Sequence, residues 1–406
     1  MLNDILFEKQ NGGMGRTAPN ADPVSGLLMA LGTGIAATLA QFERIGEGGA
    51  QVAVIKLKYF EQLANQFGIA ESLPKDLPEG AELSEVQKQH NAIVQHVREF
   101  FRMSPAGTLY LAIKAGGEIS GEHIKALQYF AGGEIRQVGV FSAAIAVADY
   151  QSAADELSGE HQALSVIATP AKGASTLADY YDEDLSQVAK NRANVSILIS
   201  RDLDPALDEK LGAWAQYGCI GTVLGAVSAA AVHESIAWVA KFPLSLKIPG
   251  FITGEAVKTV STATLNLIND LRYLFVRTHT GDAGNYLNDS HTLDEATSDY
   301  AFIENTRTMD KAIRGIRSNL LPYLNAPLYV NPESGKLSFG TVANLELIAS
   351  KALEDMEKAG ELSGYRAVID PEQNVLATSE VEVQIKNVPV GVMRTVRVKI
   401  GYTTKV

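Results

Sequence analysis

The feature that most limits what this chain can fold into is a strand pattern that closes the sequence with few neighbours to hold it. Val381, Val383 and Ile385 alternate with Glu382, Gln384 and Lys386, and Val396, Val398 and Ile400 alternate with Arg397, Lys399 and Gly401. Period-2 segments of this kind have one buried and one wet face. The joint between them, "NVPVGV", puts Pro389 and Gly391 where a turn is wanted. A last strand with a free edge is a hazard in a monomer and a connector in an assembly.

Two long helical patterns lead into these strands. Ile313, Ile316, Leu320, Leu321 and Leu324 recur at helical spacing, with Arg307, Lys311, Arg314 and Arg317 before and between them. Val342, Leu345, Ile348, Leu353 and Met356 repeat the pattern up to Lys358-Ala359-Gly360, a basic last turn with a glycine stop.

Further upstream, strand and helix patterns alternate. Strands are predicted at 52–57, 108–113, 135–141, 164–168 and 195–199, with helices at 85–103, 120–130 and 177–190 between them. This alternation predicts an α/β layer with a largely parallel sheet. Residues 205–260 are rich in Ala and Gly, which predicts closely approaching helices. A helix at 264–271 and a strand at 273–277 follow, and "THTGDAGNYLNDSHT" reads as a loop or hairpin.

The chain of 406 residues is long enough for two or three domains and a large core. A net charge of −12 argues against general nucleic-acid binding, which needs a basic surface. The single cysteine, Cys219, excludes an internal disulfide framework, suits a reducing cytoplasm, and sits among small apolar neighbours as a buried thiol. Asp4 and Glu8, with no basic region followed by an apolar run, predict no signal peptide. The uncharged stretch 24–41 approaches the length of a membrane span, but it is rich in Gly, Ala and Thr and lacks basic flanks, so no membrane insertion is expected.

No catalytic constellation stands out, and no catalytic residue, metal site or cofactor is assigned. The histidines are scattered, His233-Glu234 lacks the second histidine of a zinc-protease helix, and no nucleophile elbow or P-loop is present. Gly32-Thr33-Gly34-Ile35-Ala36-Ala37 matches a dinucleotide-type G-x-G-x-x-A turn. The fingerprint expects an acidic residue near the end of the next strand, where this sequence has Lys56 and Lys58. An α/β nucleotide-binding enzyme using Gly32–Ala37 therefore stands as the alternative reading, with small residues at a close-packed contact as the plainer one.

"TSDYAFIENTRTMDKAIRGIRSNLLPYLNAPL", "NPESGKLSFGTVANLE", "AGELSG", "IDPEQNVLAT" and "VQIKNVPVGVMRTVRVKIGY" resemble, in that order, the end of contractile-tail sheath proteins of bacteriophages, tailocins and contractile injection systems. The opening "NGGMGRTAPNADPVSGLL" is similar to the start of a divergent sheath-like group. The resemblance implies a multi-domain α/β fold (α+β overall). It would have an extended arm at 1–23, a middle and outer region at 24–260, and an inner helix-plus-sheet domain at 261–406. Arms from neighbouring subunits would complete that sheet, carried here by Leu2, Ile5, Leu6 and Phe7 and by Val396, Val398, Ile400 and Tyr402, onto a receiving strand around Val381, Val383 and Ile385. Gly12, Gly13 and Gly15 are the expected hinge. Arg307, Lys311, Arg314 and Arg317 are the expected tube-facing set, the plainer reading being a solvated basic face with Arg307 or Lys311 paired internally to Asp310 or Glu304. Partners would be other copies in stacked hexameric rings, an inner tail tube protein, and baseplate and tail terminator proteins, without direct nucleic-acid contact. Assembly would take place in the cytoplasm and the product would be a virion tail or injection particle. Another tail or capsid assembly protein using the same arm exchange is a further alternative.

Overall fold

The computed structural model describes residues 22–403 apart from 77, 79, 80, 171–175, 182–184 and 186–192. The predicted arm Leu2–Phe7 and hinge glycines Gly12, Gly13 and Gly15 lie outside the described residues, as does most of the predicted helix 177–190.

A seven-stranded mixed sheet forms the large body. Its strands are β1 (Val24–Leu31), β2 (Glu43–Ile45), β3 (Val52–Leu57), β4 (Thr108–Ala115), β5 (Gln137–Ser142), β6 (Ser165–Pro170) and β7 (Val195–Ile197), in the order β2-β3-β4-β1-β5-β6-β7. Strands β4, β1, β5, β6 and β7 run parallel, and β3 is antiparallel to both β4 and β2.

The central strand β1 opens the uncharged stretch 24–41. It is buried at all eight positions: Leu27, Met29 and Leu31 face one core, Val24, Leu28 and Ala30 the other. A parallel strand covered on both faces needs apolar residues throughout, so it shows no period-2 signal. Among the described residues no helix is long and apolar enough to cross a membrane.

Helices cover both faces. On one lie α1 (Glu85–Met103) and a later Ala/Gly-rich helix; on the other lie α2 (Gly121–Phe130) and α3 (Val147–Gly159). A reciprocal cap starts α1, in which the Ser84 backbone N–H donates to Gln87 Oε1 (2.9 Å) and the Gln87 N–H donates to Ser84 Oγ (3.3 Å). The Ala/Gly-rich helix is α4 (Ile220–Ala229). Its Gly221 and Gly225 lie against the backbone of α1, where a Cβ would come within 2.2 Å of the His96 carbonyl oxygen and 2.7 Å of that of Phe100. This is the close helix approach that the composition of 205–260 predicts.

Short antiparallel pairs, β8 (Ser200–Asp202) with β9 (Pro249–Phe251) and β10 (Val276–Thr278) with β11 (Asn285–Leu287), extend the body. Leu274, Val276, Leu287 and Ile303 join one core of the main sheet, and Ile268, Tyr273, Phe275 and Leu293 the other. The predicted "THTGDAGNYLNDSHT" loop is the β10–β11 hairpin.

Next come α5 (Ile303–Leu320) and α6 (Phe339–Lys358), packed on each other, and an antiparallel pair, β12 (Leu362–Val368) and β13 (Gln384–Pro389). Ala312, Leu353, Met356 and Leu362 form a small core, with Ile316, Tyr365 and Ile385 against it. Leu337, Val342, Leu345 and Ile369 form a second, joined by Val381 and Val383.

Three local expectations change here. Val381 and Val383 precede the strand rather than lie in it and pack under the helices. No turn forms at Pro389, because it is the last residue of β13 and pairs with Leu362 of β12. Finally, Ile313, Leu321 and Leu324 lie outside the core, with Leu324 71% exposed, because the buried side of α5 is carried by its first three turns.

Candidate assembly surface

The β12–β13 pair has only two strands, which is marginal in isolation and is held here by α6 behind it. Both outer edges are open among the described residues. Beyond β13, residues 390–402 form no strand, and the apolar members of the alternating run face solvent: Val396 is 64% exposed, Val398 76% and Ile400 95%, with Tyr402 fully exposed. Four large side chains at period 2 with no cover make an unusual surface, since exposed apolar groups are ordinary singly and informative in a row.

The expected tube-facing basic set does not form a free face. Arg307 is buried, and its Nη2 donates to the Ala230 carbonyl (3.1 Å) just past the end of α4, where the partial negative charge of a helix C-terminus favours a cation. Lys311 is buried between Asp22 Oδ2 (2.8 Å) and Glu361 Oε1 (2.6 Å). Arg314 reaches Asp22 Oδ1 (3.2 Å) and is largely covered. Of the four, only Arg317 is exposed. The sequence placed these cations on one helix correctly, but their partners lie 289 residues before Lys311 and 50 after it, which spacing along α5 could not reveal.

The other end of α5 carries a second charged cluster. Glu304 is 2% exposed and is met by Ser290 Oγ (2.5 Å) and Arg394 Nη2 (2.5 Å), while Arg394 Nε lies 3.0 Å from both oxygens of Asp289. The Arg394 guanidinium sits 3.4 Å from the centre of the Phe302 ring. No sequence motif marked Asp289, Glu304 or Arg394 as a group.

The Gly32–Ala37 turn is built for packing. It follows β1, as a nucleotide turn would, but a Cβ at Gly32 would meet the Gln89 amide at 2.7 Å and the Trp214 ring at 3.5 Å. The α-helix that follows, Ala36–Leu39, is a single turn, too short to present a helix terminus to a pyrophosphate. The turn therefore lacks the helix N-terminus on which a dinucleotide site of this type relies. Cys219 is buried and its thiol is pushed up to about 12 by burial, so it carries little thiolate at neutral pH. Among the described residues no cluster of His, Cys, Asp and Glu could hold a metal ion.

Buried histidines give the fold a definite acid response. Burial holds His96 and His291 down to about 4, so both are neutral in the folded chain at pH 5, whereas the unfolded chain would protonate them near 6.5. Stability is therefore lost as pH falls from about 6.5 through about 4, by about 3 kcal/mol for each histidine at most. Asp310 works in the opposite sense. Burial raises it to about 6 against the pull of Arg314, Arg136 and Arg307, so the folded state takes up its proton first as pH falls. Thermal unfolding followed from pH 7 to pH 4 should show a falling midpoint. The fall should be shallower in His96→Gln and steeper in Asp310→Asn, and equal slopes would contradict this assignment.

Among curated proteins, none matches the chain in sequence. Solved structures match its fold over essentially its whole length. A chain of the contracted-state PVC sheath complex, from an extracellular contractile injection system, is 12% identical with a TM-score of 0.61, covering 100% of this chain and 98% of that one. A chain of the anti-feeding prophage baseplate, 6-fold symmetrised, is 14% identical with a TM-score of 0.59, covering 100% and 99%. A chain of the same baseplate in its contracted state is 13% identical with a TM-score of 0.59, covering 99% and 98%. At this identity the likeness is one of mixed α/β fold. Two family models account for nearly all of the sequence, the DUF2586 N-terminal domain over residues 2–291 and the DUF2586 C-terminal domain over residues 299–406. The chain therefore belongs to the DUF2586 family.

Proposed function

We propose that this protein is a structural subunit of a contractile particle, polymerising as a sheath around an inner tube and acting by rearrangement of that lattice. The observation that carries this reading is the uncovered alternating run Val396–Tyr402, set beside a two-stranded sheet with open edges. Each run would add to the β12–β13 sheet of another copy, with Ile385 and the Val381–Val383 segment behind the receiving edge. The arm Leu2–Phe7 would act in the same way from the other end.

Physical reasons favour this use. Edge pairing is mainly a main-chain interaction, so it tolerates rotation of one subunit against the next. Each main-chain hydrogen bond contributes about 0.5–1.5 kcal/mol net, and each buried Val or Ile about 1.5–3 kcal/mol. That is enough to outweigh the ordering of a short strand. Contraction is then a shift between two packings of one lattice and needs no nucleotide. With Arg307, Lys311 and Arg314 committed internally, Arg317 is the member of the expected basic set left free for a charged grip on a tube.

Purified full-length protein viewed by negative stain should form tubes. A truncation lacking residues 395–406 should remain discrete yet folded, because residues 395–402 are exposed in the isolated subunit. Tubes from the truncated chain, or only discrete particles from the full one, would count against the proposal.

A further inference from the structure

The polar contacts of residues 390–402 with the body are made by one side chain, beside the half-buried Val390 and Val392. Among the described residues of this stretch no backbone hydrogen bond to the rest of the chain is formed, and the polar side-chain contacts are those of Arg394. Those contacts are extensive. Arg394 Nε faces both oxygens of Asp289, and Nη2 reaches Ser290 Oγ (3.3 Å) and Glu304 Oε1. The guanidinium lies over Phe302, a ring that also has the Arg272 guanidinium 5.4 Å from its centre. Asp289 and Ser290 follow β11, whereas Phe302 and Glu304 open α5, so one guanidinium joins three segments.

We infer that Arg394 is the positioning residue of the 396–402 run, fixing the point and direction from which that run leaves the body. The purpose of this positioning rests on the proposed pairing of the run with another copy; its geometry does not. Held only from the end of β13 at Pro389, the eleven residues to Ile400 could carry the tip over a span of roughly 35 Å, whereas from a fixed Arg394 the last six span roughly 20 Å. With the anchor, the strand starts from a fixed site, and much of the ordering needed for pairing is already done. The seat holds because Glu304 is buried. If Arg394 withdrew, the carboxylate would keep only the Ser290 hydroxyl as its partner among these groups, and an uncompensated buried charge is strongly unfavourable. A lysine could not reproduce the seat, since it lacks the planar fork that meets Asp289 and Glu304 while lying on Phe302.

The test uses full-length protein with Cys219→Ala, spin labels at Thr395→Cys beside the anchor and Ser158→Cys on α3, and dilution in unlabelled protein so that only intramolecular distances are read. The parent should give one narrow distance population. Arg394→Ala should lose it, with a lower melting temperature from the stranded Glu304. In Arg394→Ala combined with Glu304→Gln the melting temperature should recover while the distances stay spread, which a purely structural role would not produce. Glu304→Gln alone should stay narrow, since Asp289 still holds the guanidinium. Tube formation by the double variant should be slowed. A narrow population in the double variant, or a spread one in the parent, would overturn the inference. If the truncated chain lacking 395–406 still formed tubes while these distances behaved as stated, the assembly role would fall and the positioning would stand.

Discussion

Lys311→Met is expected to destabilise the chain by about 3–5 kcal/mol, the usual effect of removing one partner from a buried ion pair. Lys311 is 8% exposed, with its ammonium between Asp22 and Glu361, whose side chains are themselves 15% and 10% exposed. Methionine fills similar space, so the loss reports the carboxylates left behind rather than a cavity. Asp22 keeps Arg314, at 3.2 Å, whereas Glu361 has no other ion-pair partner among the described residues. Most of the penalty should therefore fall on Glu361, and Lys311→Met with Glu361→Gln should recover a large part of it. Urea unfolding midpoints at pH 7 would check both variants. A loss below about 1 kcal/mol would mean that the pair behaves as if it were on the surface. Because these pairs join the start of β1 to α5 and to the entry of β12, the weakened chain should also let its last hundred residues separate more readily from the body.

Gly221→Val is expected to cost at least about 3 kcal/mol, at or above the upper end of the range for overpacking. A Cβ at Gly221 would lie 2.2 Å from the His96 carbonyl oxygen and 2.7 Å from its Cα. Both are backbone atoms in the middle of α1, so no rotamer change can relieve the clash and the two helices must move apart. That would open the core where Val223, Leu224 and Phe100 meet. Gly159→Ala provides the control, since a Cβ there meets nothing within 4 Å and should leave stability unchanged or slightly higher. Thermal or urea unfolding of the two variants in parallel separates a packing requirement from a general dislike of substitution at glycine. Equal midpoints would contradict the close-contact account.

Legibility in the sequence followed the range over which each signal acts. The helix Glu85–Met103 was readable because its cap, its apolar spacing and its last turn all lie within the helix itself. Strands β3 to β7 of the sheet were readable from alternating strand and helix patterns. The strand Val24–Leu31 was not, because burial on both faces removes the alternation that marks a half-buried strand. The tight contact at Gly221 and Gly225 showed as composition, though not as a particular pair of helices. The basic stripe on α5 was visible and its meaning was not. Which cations are free depends on Asp22, Glu361 and the Ala230 carbonyl, all brought in from other parts of the chain.

By itself the sequence determined the local grammar of this protein: an α/β body, two long helices after residue 300, and an apolar run of period 2 near the end. These rest on interactions within a few residues, which spacing reports directly. Only the tertiary structure decided that β12 takes β13 as its partner, that three of the four helix cations are spent on internal carboxylates and carbonyls, and that Val396–Tyr402 leaves the body from Arg394 without a strand beside it. Those outcomes depend on which distant groups meet, and a side chain's charge or polarity says what kind of partner it requires but not where in the chain that partner lies.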